Sequence, residues 1–438
     1  GDNFTGSLLI GHQTTGTLSA AQYNTAVGLN ALDALTQADK NTAIGYDALT
    51  TTTGGSGAST AIGYGVLKAN TTGSRNTATG HNAMAANTTG SYNTAYGYGA
   101  LESNTTGQYG VAFGYEALAS GTTSLTSTAI GYQALKNDVG GSNTAVGYGA
   151  LEDNTTGGNN VGIGNYALDA NTEGERNTAI GSSALTQNTT GDRNTASGYR
   201  ALRENTTGDD NIAMGHYALD DNTTGTRNIA IGSYAYDAAD TENDNLAIGY
   251  GALGGTVAGG EYNVAIGNYS LDANTSGDNN VAVGYNALTA NTTGIRNIAI
   301  GYGAYAAADT ESHNLAIGLA ALGGAIAGGE YNVAIGNYTL DENTSGDNNV
   351  VVGYAGLASN TTGANNTASG YGVLYSNTTG SSNTAVGNYA LWRTQTGSAN
   401  TAIGDYAMKQ FRADGSTYNT AVGRSSQRGP NSDTEYYT

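Results

Sequence analysis

A 17-residue period runs through almost all of this chain. Residues 143–159 read Asn-Thr-Ala-Val-Gly-Tyr-Gly-Ala-Leu-Glu-Asp-Asn-Thr-Thr-Gly-Gly-Asn, and the pattern starts again at Asn160 and at Asn177. A short fixed period decides the architecture first, because each unit must bury its apolar side chains against copies above and below. One glycine marks the register. The Gly of Ala-Val/Ile-Gly recurs 25 times between Gly11 and Gly423, and spacings other than 17 differ by only one or two residues. Insertions that small belong in turns. The segments ending at Gly267 and Gly336 also match each other over 69 residues, the mark of a duplicated block of four units.

The repeat overrides the several globular domains that 438 residues would otherwise suggest. Residues 1–423 read as one continuous repeat domain and 424–438 as a C-terminal tail. A helical reading fails: glycine in every unit costs about 1 kcal/mol each relative to alanine, and no 3.6-residue periodicity persists. Thr-Ala-Val/Ile instead reads as a short strand. Its first position alternates between Thr (Thr144, Thr384) and Ile, Val or Leu (Ile229, Val264, Leu315), residues whose branching or bulk suits a pleated surface. Its third is Val or Ile, and the two share a face. That β-branched face is expected to be the core, with Val146, Ile163, Ile180 and Ile231 inside, joined by Leu151 and Leu168 from a second strand around Ala-Leu. The opposite face carries only Ala and Gly, as at Ala145 and Gly147. Asn-Thr-Thr-Gly supplies a turn in which Asn and Gly accept positive φ. The Asn opening each unit, as at Asn143, Asn160, Asn177 and Asn194, is expected to stack amide to amide in a ladder. The fold class is therefore all-β: a parallel β-solenoid, or β-roll, of about 25 coils. Each coil holds two short strands and two turns. At about 4.8 Å per coil it would extend on the order of 120 Å.

Asn-Thr-Ala-Val/Ile-Gly resembles the head repeats of trimeric autotransporter adhesins, which carry Asn-Ser-x-Ala-Ile-Gly units in slightly shorter coils. The longer pattern Asn-Thr-Ala-Ile-Gly-Tyr…Ala-Leu…Asn-Thr-Thr-Gly is similar to arrays in phage tail fibres and large bacterial surface proteins. The resemblance covers residues 8–423. It implies a left-handed parallel β-roll, three chains packed side by side, and Ala/Gly faces such as Ala145 and Gly147 as contact surfaces. No coiled-coil stalk or membrane barrel follows the repeats in these residues.

Composition narrows the partners. The formal charge is −20, which disfavours nucleic acid. There is no cysteine, hence no disulfide or thiolate metal site, and no apolar run long enough for a membrane-spanning helix. No catalytic constellation recurs with His12, His81, His216 or His313, so no enzyme is expected. His81 and His216 occupy the position of the tyrosines that follow the repeat glycine. The Asn-Thr-Thr triplets match the glycosylation pattern, although turn chemistry alone accounts for them. No cofactor is expected. Calcium is the one candidate, through the acid-rich turns 272–278 and 341–347. The many tyrosines after the repeat glycine suggest either a stacked row or a glycan-binding face, and threonine rows raise ice binding. The expected function is a structural fibre or filament protein, extracellular or on a cell or virion surface, whose partner is itself. Side-by-side association would be joined by head-to-tail contact through the tail, with Arg424, Arg428, Tyr436 and Tyr437 as joining residues. The alternative is a binding module for glycan, calcium or ice, or a phage receptor-binding shaft.

Overall fold

The computed structural model describes residues 6–11, 21–54, 57–123, 126–255, 260–324, 329–410, 415 and 417–427. The chain is an all-β parallel solenoid whose 25 strands have three residues each, from β1 (Leu8–Ile10) to β25 (Thr420–Val422). It divides into two compact units, Gly1–Tyr217 and Ala218–Thr438. In the first, β1 to β13 (Ile212–Met214) form a parallel sheet, each strand pairing with the next; in the second, β14 (Ile229–Ile231) to β25 do the same. Register follows the repeat: in β10 (Val161–Ile163) and β11 (Thr178–Ile180), Val161 faces Thr178 and Ile163 faces Ile180.

Each coil has one strand, not the two expected from the sequence. The Ala-Leu segment is a tight turn. Its leucine adopts left-handed backbone geometry, as at Leu151 (φ 54°), Leu168 (φ 54°) and Leu185 (φ 52°). That conformation costs an L-residue roughly 1–2 kcal/mol, and burial of a leucine side chain, worth roughly 1.5–3 kcal/mol, offsets it. Leu151 and Leu168 are fully buried. The strand is short because a buried Asn precedes it and the repeat glycine, at φ +139° in Gly181, turns the chain sharply after it.

The strand faces are the reverse of the sequence expectation. Ala145 and Ala179, at the strand centres, are fully buried. Ile163, Ile180 and Ile231 are 39%, 44% and 37% exposed, and Val146 is half-buried. The interior of one coil is filled by Ala, Ala, Leu and two Asn side chains, as in Asn143, Ala145, Ala150, Leu151 and Asn154. Opposing backbone lies too near the strand centre for a larger group: where β10 has Gly162, even a Cβ would meet Ala167 O at 3.1 Å and Leu151 Cδ1 at 3.2 Å. Ala145 is therefore no contact surface for another chain. The strand β21 (Val350–Val352) tests the rule, since the buried Val351 replaces alanine there. Its neighbour is Gly356, where a Cβ would come within 2.7 Å of Val351 Cγ1.

Two asparagine ladders hold successive coils in register. In the first, amide pairs with amide from Asn332 to Asn419, as from Asn366 Nδ2 to Asn349 Oδ1 at 3.1 Å, but from Asn143 to Asn194 the bonds run from backbone to side chain. Asn160 N–H donates to Asn143 Oδ1 (2.9 Å), Asn177 N–H to Asn160 Oδ1 (2.9 Å) and Asn194 N–H to Asn177 Oδ1 (2.8 Å). Each side-chain Nδ2 donates instead to a glycine carbonyl 14 residues on, as from Asn177 to Gly191 O at 2.7 Å. The second ladder is made by the Asn of Asn-Thr-Thr-Gly. Here the amides do pair: Asn171 Nδ2 donates to Asn154 Oδ1 (2.7 Å) and Asn188 Nδ2 to Asn171 Oδ1 (2.8 Å). These residues do not take positive φ, contrary to the turn reading. Gly191 serves the ladder by being small, since a Cβ there would lie 2.5 Å from both Asn188 Oδ1 and Gly208 O.

Substitutions in the second ladder show what it requires. Ala239 and Ala308 remove the amide, and the coil answers with Tyr236 and Tyr305 in place of leucine. Both rings are fully buried and their hydroxyls accept from Asn245 Nδ2 (2.6 Å) and Asn314 Nδ2 (2.5 Å). Asp138 stands where the ladder has Asn. Burial pushes its pKa up to about 6, against hydrogen bonds from Asn154, Ser127 and Asn143 that favour the charged form. A pKa raised on folding means that the folded state holds the proton longer, so stability is lost as pH rises from the unfolded value near 4 to about 6. The loss amounts to up to about 3 kcal/mol at pH 7. Asp138→Asn is expected to raise the urea midpoint at pH 7 and leave it nearly unchanged at pH 4. Equal effects at both pH values would show that the charge is not what destabilises this coil.

Candidate functional surface

With alanine turned inward, each strand presents its first and third side chains to solvent. In the first unit these rows mix Thr with Ile and aromatic residues, as in Thr42 and Ile44, Thr60 and Ile62, Thr94 and Tyr96. Tyr96 and Phe113 stack at 4.7 Å. The threonine row is broken at Val111 and Val161, so it offers no regular hydroxyl lattice. In part of the second unit the rows become wholly apolar. From β14 to β21 every outward position is Ile, Leu or Val, including Leu246 and Ile248, Val264 and Ile266, Ile298 and Ile300. Eight strands spaced about 4.8 Å apart span about 34 Å of sheet. A contiguous apolar strip of that length is unusual on the surface of a chain this polar.

In the first unit the residue after the repeat glycine builds an aromatic row. Tyr46, Tyr64, His81, Tyr98, Tyr115, Tyr132 and Tyr148 stack in sequence with centroids 4.8–5.3 Å apart and planes within 13°. His81 is a member of the stack, and His216 likewise lies on Tyr199 at 5.4 Å. Interior rings of such a row have both faces covered by neighbours and leave only edges and hydroxyls to water. Sugar recognition by face-stacking therefore has no free ring face along this ladder.

Other predicted residues fall elsewhere. The sequon asparagines Asn154 and Asn188 are fully buried with their Nδ2 groups engaged, so a glycan cannot be carried there in the folded chain. In the two acid-rich turns, Asp278 Oδ1 accepts from Glu261 N–H and Asp347 Oδ1 from Glu330 N–H, both at 2.9 Å. Among the described residues no group of three or more His, Asp or Glu side chains is placed to hold a metal ion. Arg424 is exposed just beyond β25. Arg428, Tyr436, Tyr437 and His12 lie outside the described residues. No helix among them is long and apolar enough to cross a membrane. Comparison with protein-family models returns no match, and comparison with curated proteins returns none.

Proposed function

We propose that this chain is a structural building block of an extracellular fibre or filament, associating side by side with copies of itself, and not an enzyme. The observation that carries this reading is the outward Ile/Val/Leu face of β14–β21. Two copies of such a face share the same strand spacing. Sheets packed through β-branched side chains at about 10 Å are the ordinary way to remove such a surface from water. The alternative of three chains, implied by the resemblance to adhesin head repeats, uses the same face instead of the buried alanines. The acidic body keeps the remaining surface soluble and unattractive to nucleic acid.

The test is a triple variant, Ile248→Lys, Ile266→Lys and Ile300→Lys. All three side chains point outward, so the coil should retain its circular dichroism while charge repulsion separates the copies. Sedimentation velocity is expected to show an oligomer for the parent chain and a monomer for the variant. A parent chain that stays monomeric from micromolar to near-millimolar concentration would rule the association out.

A further inference from the structure

The second unit also contains a cleft that the repeat does not require. It encloses about 490 Å³, within the range of small-molecule sites, roughly 300–1,000 Å³. Its origin is a run of small residues in consecutive coils. Two positions after the repeat glycine, Tyr338 and Tyr389 bracket Ala355 and Gly372; five positions after it, Ala358 interrupts the row between Asp341 and Tyr375. Side chains that would fill the groove are missing on both rows together.

The walls are aromatic. Tyr338 meets Tyr354 at 77°, Tyr371 meets Tyr389 at 67°, and Tyr389 meets Trp392 at 82°. Tyr375 and Trp392 stand 6.5 Å apart and tilted by 42°, too open to be a stack. Tyr354 and Tyr371 stack in parallel (5.1 Å, 6°), and Tyr338 and Tyr389 stand edge-on to this stack beside the gap left by Ala355 and Gly372. On the neighbouring coil the same wall already holds an ammonium: Lys409 Nζ lies 4.7 Å from the Tyr389 ring centroid, 5.3 Å from Trp392 and 4.4 Å from Tyr406.

The rim is anionic. Asp341 and Glu342 line the cleft, and among the described residues neither has an ion-pair partner. Burial, and then the charge of Glu342, hold the Asp341 carboxyl above its ordinary range, and no base offsets them. Rings set at steep angles beside two uncompensated carboxylates suit a cation that is large, weakly hydrated and able to use ring faces. A metal ion would need several oxygen ligands converging, which this cleft lacks.

We infer that the cleft between Tyr338 and Trp392 binds a trimethylammonium group, with the rings as its cage and Asp341 and Glu342 as its counter-charge. The site is independent of the association face, since its lining residues belong to the turns and not to the strands.

Trp392 is the chain's one tryptophan, so its emission reports on the cleft directly. Choline is expected to change that emission saturably, whereas the uncharged isostere 3,3-dimethylbutan-1-ol and methyl glucoside should not. The double variant Asp341→Asn, Glu342→Gln should weaken choline binding about tenfold, the equivalent of roughly 1.4 kcal/mol. Ala355→Tyr should abolish it by filling the gap. That variant should fold, because Tyr338 and Tyr389 occupy the same row with φ of 57° and 55°, close to the 50° of Ala355. Co-sedimentation with phosphatidylcholine vesicles distinguishes a lipid headgroup from a soluble source; capture of either supports the site. No saturable response to choline, equal binding of the uncharged isostere, binding of methyl glucoside in its place, or choline affinity unchanged in Ala355→Tyr would each overturn the inference.

Discussion

Replacing Gly181 by alanine is expected to break the solenoid locally and cost more than about 4 kcal/mol, the range reserved for gross backbone and packing defects. Gly181 has φ +139°, and a Cβ there would lie 2.3 Å from Gly198 O and 2.7 Å from Gly198 C. Both atoms are backbone of the next coil. They cannot retreat without stretching the 2.8 Å bond from Gly198 N–H to Ile180 O, which helps set the coil spacing. Backbone strain of roughly 1–3 kcal/mol adds to the collision. Hydrogen exchange should show lost protection in the coils around residues 164–198, with limited proteolysis cutting there first. Gly303 is the control: its φ is +60°, nothing lies within 4 Å of its Cβ, and Asn286 takes φ 53° at the same repeat position. Gly303→Asn is expected to be nearly silent. A Gly181→Ala chain as resistant to urea as Gly303→Asn would show that close approach between glycines does not govern the fold.

The second large effect is expected at Asn177. Asn177→Ala removes the acceptor for Asn194 N–H and the donor to Gly191 O. Asn194 N–H then stays buried without its partner, at about 1–3 kcal/mol, while Gly191 O loses one of two bonds and keeps the one from Asn188 Nδ2 (3.0 Å), so a loss of about 2–4 kcal/mol is expected. Asn177→Ser should recover part of it. Serine already stands in this row at Ser59 and Ser127, where Oγ accepts from Asn76 N–H and Asn143 N–H at 3.2 Å. It restores the acceptor but cannot reach the glycine carbonyl. The readout is the urea midpoint together with exchange of the Asn194 amide. If serine were no better than alanine, the bond to the next coil's N–H would not be what the ladder contributes.

These two positions also separate what was legible in the repeat from what was not. The 17-residue period, the parallel stacking, the strand at Thr-Ala-Val/Ile and the burial of the Ala-Leu leucine all follow from sequence, because each is a statement about one unit repeated. The presence of a structural asparagine per coil was legible too. Its bonding was not: Asn143 and Asn160 bond side chain to backbone, while Asn154 and Asn171 bond amide to amide, and both patterns are equally Asn in the sequence.

The direction of the strand faces needed the folded coil. Period-2 alternation separates Thr144 and Val146 from Ala145 but is symmetric about which set points inward, and apolar size favours the wrong one. The coil interior decides. Leucines such as Leu151 enter it from the opposite turn, two asparagines fill its corners, and alanine is what fits beneath the strand except where Gly356 makes room for Val351. Ile163 and Ile180 are thereby turned outward and do not form a core. The aromatic cleft is likewise invisible in any one unit. Ala355, Ala358 and Gly372 are ordinary variants of their positions, and they enclose a space only because coil stacking sets them between Tyr338 and Trp392. Sequence thus determined what each coil is made of. Tertiary structure decided which side of it faces water, because the width available inside the coil is a property of the closed turn and not of any residue in it.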